Sequence, residues 1–294
     1  MREADWVSAH LFYTDDLDVV LVDAVRPLVT DLLAEETVHG YFFLRHWDGG
    51  PHIRLRLLVP DEADQSRVRA AVSVRCGRYL RRHPSVTRLS PEAYAPMAAR
   101  LASLEQTPSH RPTPLPNNTV QFIPYRREYD RFGTDAEMQA VERHFIESSH
   151  IAMALIGSRA RADQRRTAAY AMILLAWLTG DRGGLAPATW TGLQSDDLEA
   201  RYLRQRDRLL TLADLAHRLA AGRATGVAEG SLAAWLRSIR ALRAQLPGST
   251  AGQVIDICAH LMSNRLGLTL PDEGCLRYFA ARAMTELDRQ EATR

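Results

Sequence analysis

The chain contains no lysine, so all 37 of its basic residues are arginine. That excludes a Schiff-base lysine, and with it conventional pyridoxal phosphate chemistry. The phosphate-cradling loop that ends in Lys-Ser/Thr is excluded as well. Cysteine is scarce: Cys76, Cys258 and Cys275 are far apart, form no Cys-x-x-Cys pair and offer no zinc cluster. An odd number of scattered thiols fits the cytoplasm. Long apolar runs are also missing. The segment AYAMILLAWLTG falls short of the roughly 20 residues a membrane span needs, and it reads as a buried helix. Neither charge sign is in excess: the net charge of +2 gives no reason to expect direct nucleic-acid contact or an anionic membrane. The first residues are charged and polar and run straight into a strand, so no signal peptide is expected.

What is present is an ordinary globular composition, 46% hydrophobic and 24% charged over 294 residues. WVSAHLFY (Trp6–Tyr13) reads as a strand. Residues 15–36 carry apolar side chains at helical spacing behind an Asp pair, with Pro27 expected to bend or break the helix. GYFFLRHWDGGPHIRLRLLV (Gly40–Val59) reads as two strands around a Gly-Gly turn, and residues 61–83 as a second helix ended by Pro84. The order β-α-β-β-α implies an α+β layer, with a mixed sheet under helices. Residues 90–106 read as a short helix and the Pro-rich 107–118 as loop. Residues 119–133 read as extended chain ending at Gly133. Beyond Gly133 the pattern is helical: 135–157, 162–179, 196–221, 229–246, 250–266 and 272–291. The expectation is a single domain, 1–294, with an α+β part (1–133) and a mainly helical part (134–294).

Three stretches stand out chemically. On the second hairpin strand His52, Arg54 and Arg56 alternate with Ile53, Leu55 and Leu57, which puts all three on one face. Arginines on a solvated edge ribbon would be ordinary, but aromatic residues are dense here: Tyr41, Phe42, Phe43 and Trp47. Two guanidiniums set this close repel each other unless an anion or carboxylate lies between them, and their forks match carboxylates. In YRREYDRFG, Glu128 and Arg131 are three apart; a surface ion pair is the plain alternative to a functional role. In CAHLMSNRLG, His260 and Asn264 share a helical face, where a histidine is more often structural than catalytic.

Together these stretches resemble the elimination domain of class I lanthipeptide dehydratases, which also occurs as a free-standing protein in thiopeptide pathways. The resemblance rests on FFLRHWDGGPHIRLRL, REYDRFGT, AVERHFIESSHIAMAL and HLMSNR, in that order along the chain. The family pattern has Tyr and a second Gly where Phe132 and Thr134 stand here. The resemblance implies expulsion of glutamate from a glutamylated Ser or Thr of a ribosomal precursor peptide. A separate glutamyl-tRNA-dependent protein would install the glutamate. It implies Arg54, Arg56, Glu128, Arg131 and His260 as catalytic residues, with Arg45, His52 and Asn264 binding substrate, and no cofactor or metal. Either His260 or Glu128 could take the α-proton, and a homodimer stays among the open oligomeric states. Thiopeptide pyridine synthases share the hairpin motif and are the first alternative; a non-catalytic leader-binding partner is the second.

Overall fold

The computed structural model describes residues 2, 5–107, 109–180, 191, 193–223 and 230–292. It forms two compact units divided between Tyr129 and Asp130, four residues before the change of pattern expected at Gly133.

The first unit is built on a four-stranded sheet, β1 (Trp6–Phe12), β2 (Gly40–His46), β3 (His52–Leu58) and β4 (Thr119–Gln121), in the order β2-β3-β1-β4. Every bonded pair is antiparallel, rather than mixed as the sequence implied. β3 inserts between β1 and β2, so those two strands run in the same direction without touching. This is the split β-α-β arrangement. The register sets His10 opposite Arg54 and Ser8 opposite Arg56 on one side of β3. On the other side Leu44 faces Arg54, Phe42 faces Arg56 and His46 faces His52.

Side chains therefore sort onto two faces. Val7, Ala9, Leu11, Ile53, Leu55, Leu57 and Phe43 are fully buried on the first. Helix α3 (Glu62–Arg82), capped by the Asp61 carboxylate on the Ala63 amide, turns Val68, Val72, Cys76 and Leu80 inward at four-residue steps. The segment before β2 runs through Pro27 instead of stopping there. α1 (Leu17–Val20) passes through a π turn (Leu21–Val25) into α2 (Arg26–Ala34). Proline has no N–H for the residue four back and crowds its carbonyl; the wider turn just ahead of it absorbs both.

The hairpin tip is held from outside the sheet. Gly49 (φ +86°) and Gly50 (φ +104°) take the left-handed turn that glycine tolerates. The amide of Gly49 donates to the Tyr94 hydroxyl at 2.8 Å, and that hydroxyl donates to the Arg111 carbonyl at 3.1 Å. Trp47 packs on Tyr94, Ala98 and Ala102 of α4 (Pro91–Leu104), and its indole N–H donates to Glu105 at 2.9 Å. The Pro-rich loop pairs with the tip through the Leu115 amide and the Gly49 carbonyl.

The extended stretch expected over 119–133 is shorter than that. Only Thr119–Gln121 pairs with β1, and Tyr129–Phe132 makes a single helical turn, α5. Pro124 has no amide to extend a ladder. Gly133 (φ +94°) then turns the chain into α6 (Asp135–Gly157), which opens with a Thr134–Glu137 capping box.

In the second unit α7 (Ala162–Thr179) is the buried helix that the apolar run implied: Ala169 to Trp177 are all buried. Around it pack α9 (Arg206–Ala220), α10 (Ser231–Arg243), α11 (Gly248–Arg265) and α12 (Leu270–Ala292). The helix expected over 196–221 is two, α8 (Ser195–Leu203) and α9. The Gln205 amide bonds to the Tyr202 carbonyl, three back, and its φ of −129° ends the regular turn. Glu229, expected to open one helix, lies outside the described residues.

Candidate functional site

The sheet face opposite the helices carries the polar residues of the first unit. Arg56 is 7% exposed, and its guanidinium lies 5.6 Å from the centre of the Tyr125 ring. Tyr125 itself meets Phe42 and Trp6 edge to face. Arg54 is half-buried beside it. Nε of Arg54, and Nε and Nη1 of Arg56, are buried with no hydrogen-bond acceptor. Burial brings Arg54 down to about 10 and Arg56 down to about 9. The charge of Arg54 pushes Arg56 further the same way, while the Glu128 carboxylate opposes the shift in both. Glu128, exposed just ahead of α5, is thus electrostatically coupled to the arginine pair, a link that spacing alone could not show.

Next along the same face is a cluster of imidazoles. His10 and His52 stack with ring centres 4.9 Å apart, Phe12 lies 4.4 Å from His52, and His46 meets His52 edge-on at 5.4 Å. Nδ1 of His52 is 2.8 Å from the Gly50 carbonyl oxygen. A carbonyl only accepts, so the proton is on Nδ1, and the acceptor lone pair falls on Nε2. That Nε2 and both ring nitrogens of His10 are buried with no partner. Burial, reinforced by the neighbouring arginines, holds His52 down to about 3 and His10 down to about 2, and lowers His46 well below its usual value. Two cations thus sit beside three neutral imidazoles.

Sequence reasoning reached His52 but assigned no role to His10 or His46. The signal for His10 was the alternation of Ser8 and His10 in WVSAHLF, which becomes meaningful only once the register sets His10 against Arg54. Arg45, expected to bind substrate, pairs with Ile53 and so lies on the helix-covered face. There it forms an ion pair with Asp18 at the start of α1, which supplies it with a carboxylate from within the protein. Because its neighbours on β2 alternate, Arg45 cannot share a face with Arg54 and Arg56 in this register.

In the second unit the candidates are Arg131, His260 and Asn264. Arg131 is exposed on α5 with its guanidinium 5.7 Å from the Phe132 ring, and its charge reaches Cys258 on α11. His260 and Asn264 occupy successive turns of α11, each partly exposed. His260 Nδ1 is 2.8 Å from Oε2 of Glu273, in the first turn of α12. Arg277 Nε donates to the other oxygen of Glu273 at 2.8 Å, and Arg277 Nη1 donates to Asp256 at 2.6 Å. The Trp177 indole N–H donates to the same Asp256 oxygen at 2.8 Å. Glu273, Arg277 and Asp256 were not found from sequence, since the partner of His260 comes thirteen residues later, on another helix. Among the described residues no group of His, Cys, Asp or Glu is arranged to hold a metal ion, and no helix is long and apolar enough to cross a membrane.

Solved structures share this fold over almost the whole chain. The pyridine synthase TbtD, from thiomuracin biosynthesis, superposes with a TM-score of 0.77 at 23% identity, covering 96% of this chain and 98% of that one. TsrL gives 0.64 at 15% identity, over 96% and 94% of the two chains. The tRNA-dependent lantibiotic dehydratase MibB from Microbispora sp. 107891 gives 0.59 at 20% identity; it covers 97% of this chain, but this chain spans only 28% of MibB. No curated protein sequence matches. Residues 6–284 match the family model described as the C-terminal part of lantibiotic biosynthesis dehydratases, and the chain belongs to that family.

Proposed function

We propose that the protein removes glutamate from glutamylated serine or threonine of a ribosomally made precursor peptide, leaving dehydroalanine or dehydrobutyrine. A separate glutamyl-tRNA-dependent protein would supply the ester, so this chain itself would need no nucleic acid. The observation that carries the reading is the arginine pair: two adjacent guanidiniums, pressed into a sheet face, with buried N–H groups that have no acceptor. A buried cation is costly unless an anion meets it. The departing glutamate offers two carboxylates, one formed at the moment the ester breaks. Arg54 and Arg56 would therefore hold the leaving group more tightly as it leaves, which is the condition for accelerating the step. Glu128 and Arg131 would orient the ester or carry protons, and Asn264 would contact the peptide; His52, 1% exposed, would support the face on which the arginines stand rather than touch the peptide.

The test is to feed purified protein a glutamylated peptide and follow free glutamate and the mass of the peptide. Arg54→Ala and Arg56→Ala should each lower turnover by about 10²–10³-fold, the usual effect of losing a charge-stabilising donor. Elimination by both variants at the wild-type rate refutes the assignment.

A second reading, formal [4+2] cycloaddition of two dehydroalanines with release of the leader peptide, is favoured by the superpositions: the TM-score is 0.77 with the pyridine synthase TbtD and 0.59 with the dehydratase MibB. A peptide carrying two dehydroalanines separates the two readings. Formation of a six-membered nitrogen ring, with no glutamate released from the esterified peptide, replaces the first by the second.

A further inference from the structure

α11 and α12 each turn a stripe of polar residues toward the other. On α11 the stripe is Asp256 and His260, four residues apart; on α12 it is Glu273 and Arg277, also four apart. The stripes interlock as a chain of hydrogen bonds: His260 to Glu273, Glu273 to Arg277, Arg277 to Asp256, with Trp177 closing on Asp256. Burial is deepest in its middle: the His260 side chain is 21% exposed, Glu273 2%, Arg277 3% and Asp256 24%. The His260 end can meet a substrate while the carboxylate that holds it is fixed.

Each carboxylate oxygen of Glu273 has its own donor, one from Arg277 and one from His260. The Arg277 fork is anchored three ways, to Glu273, to the Asp256 side chain and to the Asp256 backbone carbonyl at 3.2 Å. Glu273 therefore cannot rotate away without breaking the fork. An ionised carboxylate only accepts, so the proton between it and the imidazole belongs to Nδ1. That places the acceptor lone pair of neutral His260 on Nε2. A base steered by a carboxylate that is itself held recurs wherever a histidine must present one chosen nitrogen.

We infer that Glu273, locked by Arg277 and Asp256, is a positioning residue that presents His260 as the base which removes the α-proton. The inference rests on the elimination reading for its substrate, and it decides between the two bases that the sequence left open. Nε2 of His260 takes the proton from Cα. The C–H electrons become the Cα=Cβ double bond, the Cβ–O bond breaks, and its electron pair leaves on glutamate as a carboxylate. The imidazolium so formed carries N–H on both nitrogens, faces the Glu273 carboxylate, and returns its extra proton to water.

The experiment has a part that does not depend on activity. In protein labelled with ¹⁵N histidine, long-range proton–nitrogen correlation at neutral pH should show His260 protonated on Nδ1 and bare on Nε2. The resonance is assigned by its loss in His260→Gln. In Glu273→Gln, whose amide can donate as well as accept, the tautomers should mix. The kcat for glutamate release should fall at least tenfold while KM stays within about twofold. Glu273→Asp should recover part of the kcat and restore the single tautomer. A wild-type His260 carrying its proton on Nε2 overturns the inference without any variant, so a Glu273→Gln protein that failed to fold would not shield it. A folded Glu273→Gln protein with unchanged tautomer and kcat overturns it too. If wild type releases no glutamate yet its tautomer responds to Glu273→Gln, the elimination reading falls while the positioning of His260 by Glu273 stands.

Discussion

Arg56 sets stability against its proposed function within one residue. Its guanidinium is 7% exposed, Arg54 stands two residues away on the same face, and two of its nitrogens have no acceptor. Removing such a cation should make the protein more stable. Methionine has a similar reach and can keep the contact with Tyr125. Arg56→Met is expected to gain about 1–3 kcal/mol, raising the melting temperature by several degrees, while on the elimination reading glutamate release falls about 10²–10³-fold. Thermal melts and the glutamate assay on the same preparation check both halves. A variant that melts lower than wild type would show that the charge is compensated inside the protein and does not need a ligand. The arginine pair was legible from HIRLRL because strand alternation depends on nothing else. His10 and Glu273 were not legible, because each becomes informative only through a partner that the fold brings to it.

At the scale of elements, the hairpin that carries the arginines is fixed at its tip. A Cβ on Gly49 would lie 3.1 Å from Leu115 and 3.2 Å from Arg111, with φ at +86°. Gly49→Ala should therefore cost about 1–3 kcal/mol, from backbone strain and from displacement of the Pro-rich loop. Urea unfolding measures it, and an unchanged midpoint would mean that the loop yields freely. The same hairpin shows why sequence reading succeeded in part. Trp47, an odd residue for an exposed ribbon, signalled that the turn is covered, and α4 covers it. Long helices such as α3, α6 and α7 were readable because their apolar spacing repeats over several turns. The break between α8 and α9 was not, since it depends on one backbone bond at Gln205. The short reach of β4 escaped for a related reason: three residues pair with β1, and nothing in the composition of 119–133 says where pairing stops.

At the scale of the whole molecule, both units hold imidazoles that stay neutral in the folded chain. His10 and His52 belong to the first. His144, with Nδ1 2.7 Å from the Ser238 hydroxyl, belongs to the second, where burial holds it down to about 3. With His10 down to about 2 and His52 to about 3, none of the three takes a proton in the folded state above pH 4. Once unfolded, each should titrate near 6.5, as an unperturbed histidine does. Between those limits the unfolded chain binds more protons, so falling pH favours unfolding. Each group should cost about 1.3 kcal/mol between pH 7 and pH 5.5, and the three together about 4 kcal/mol. Carboxylates remain largely ionised in both states over that range and contribute little. The loss is a large share of the roughly 5–15 kcal/mol that stabilises a folded domain. Urea midpoints at pH 7 and pH 5.5 should therefore differ strongly, and His10→Phe should remove about a third of the difference. A pH-independent midpoint would mean that the imidazoles are reached by water and protonated in place. The polar sheet face would then be an open surface, and the arginines on it would no longer call for an anion.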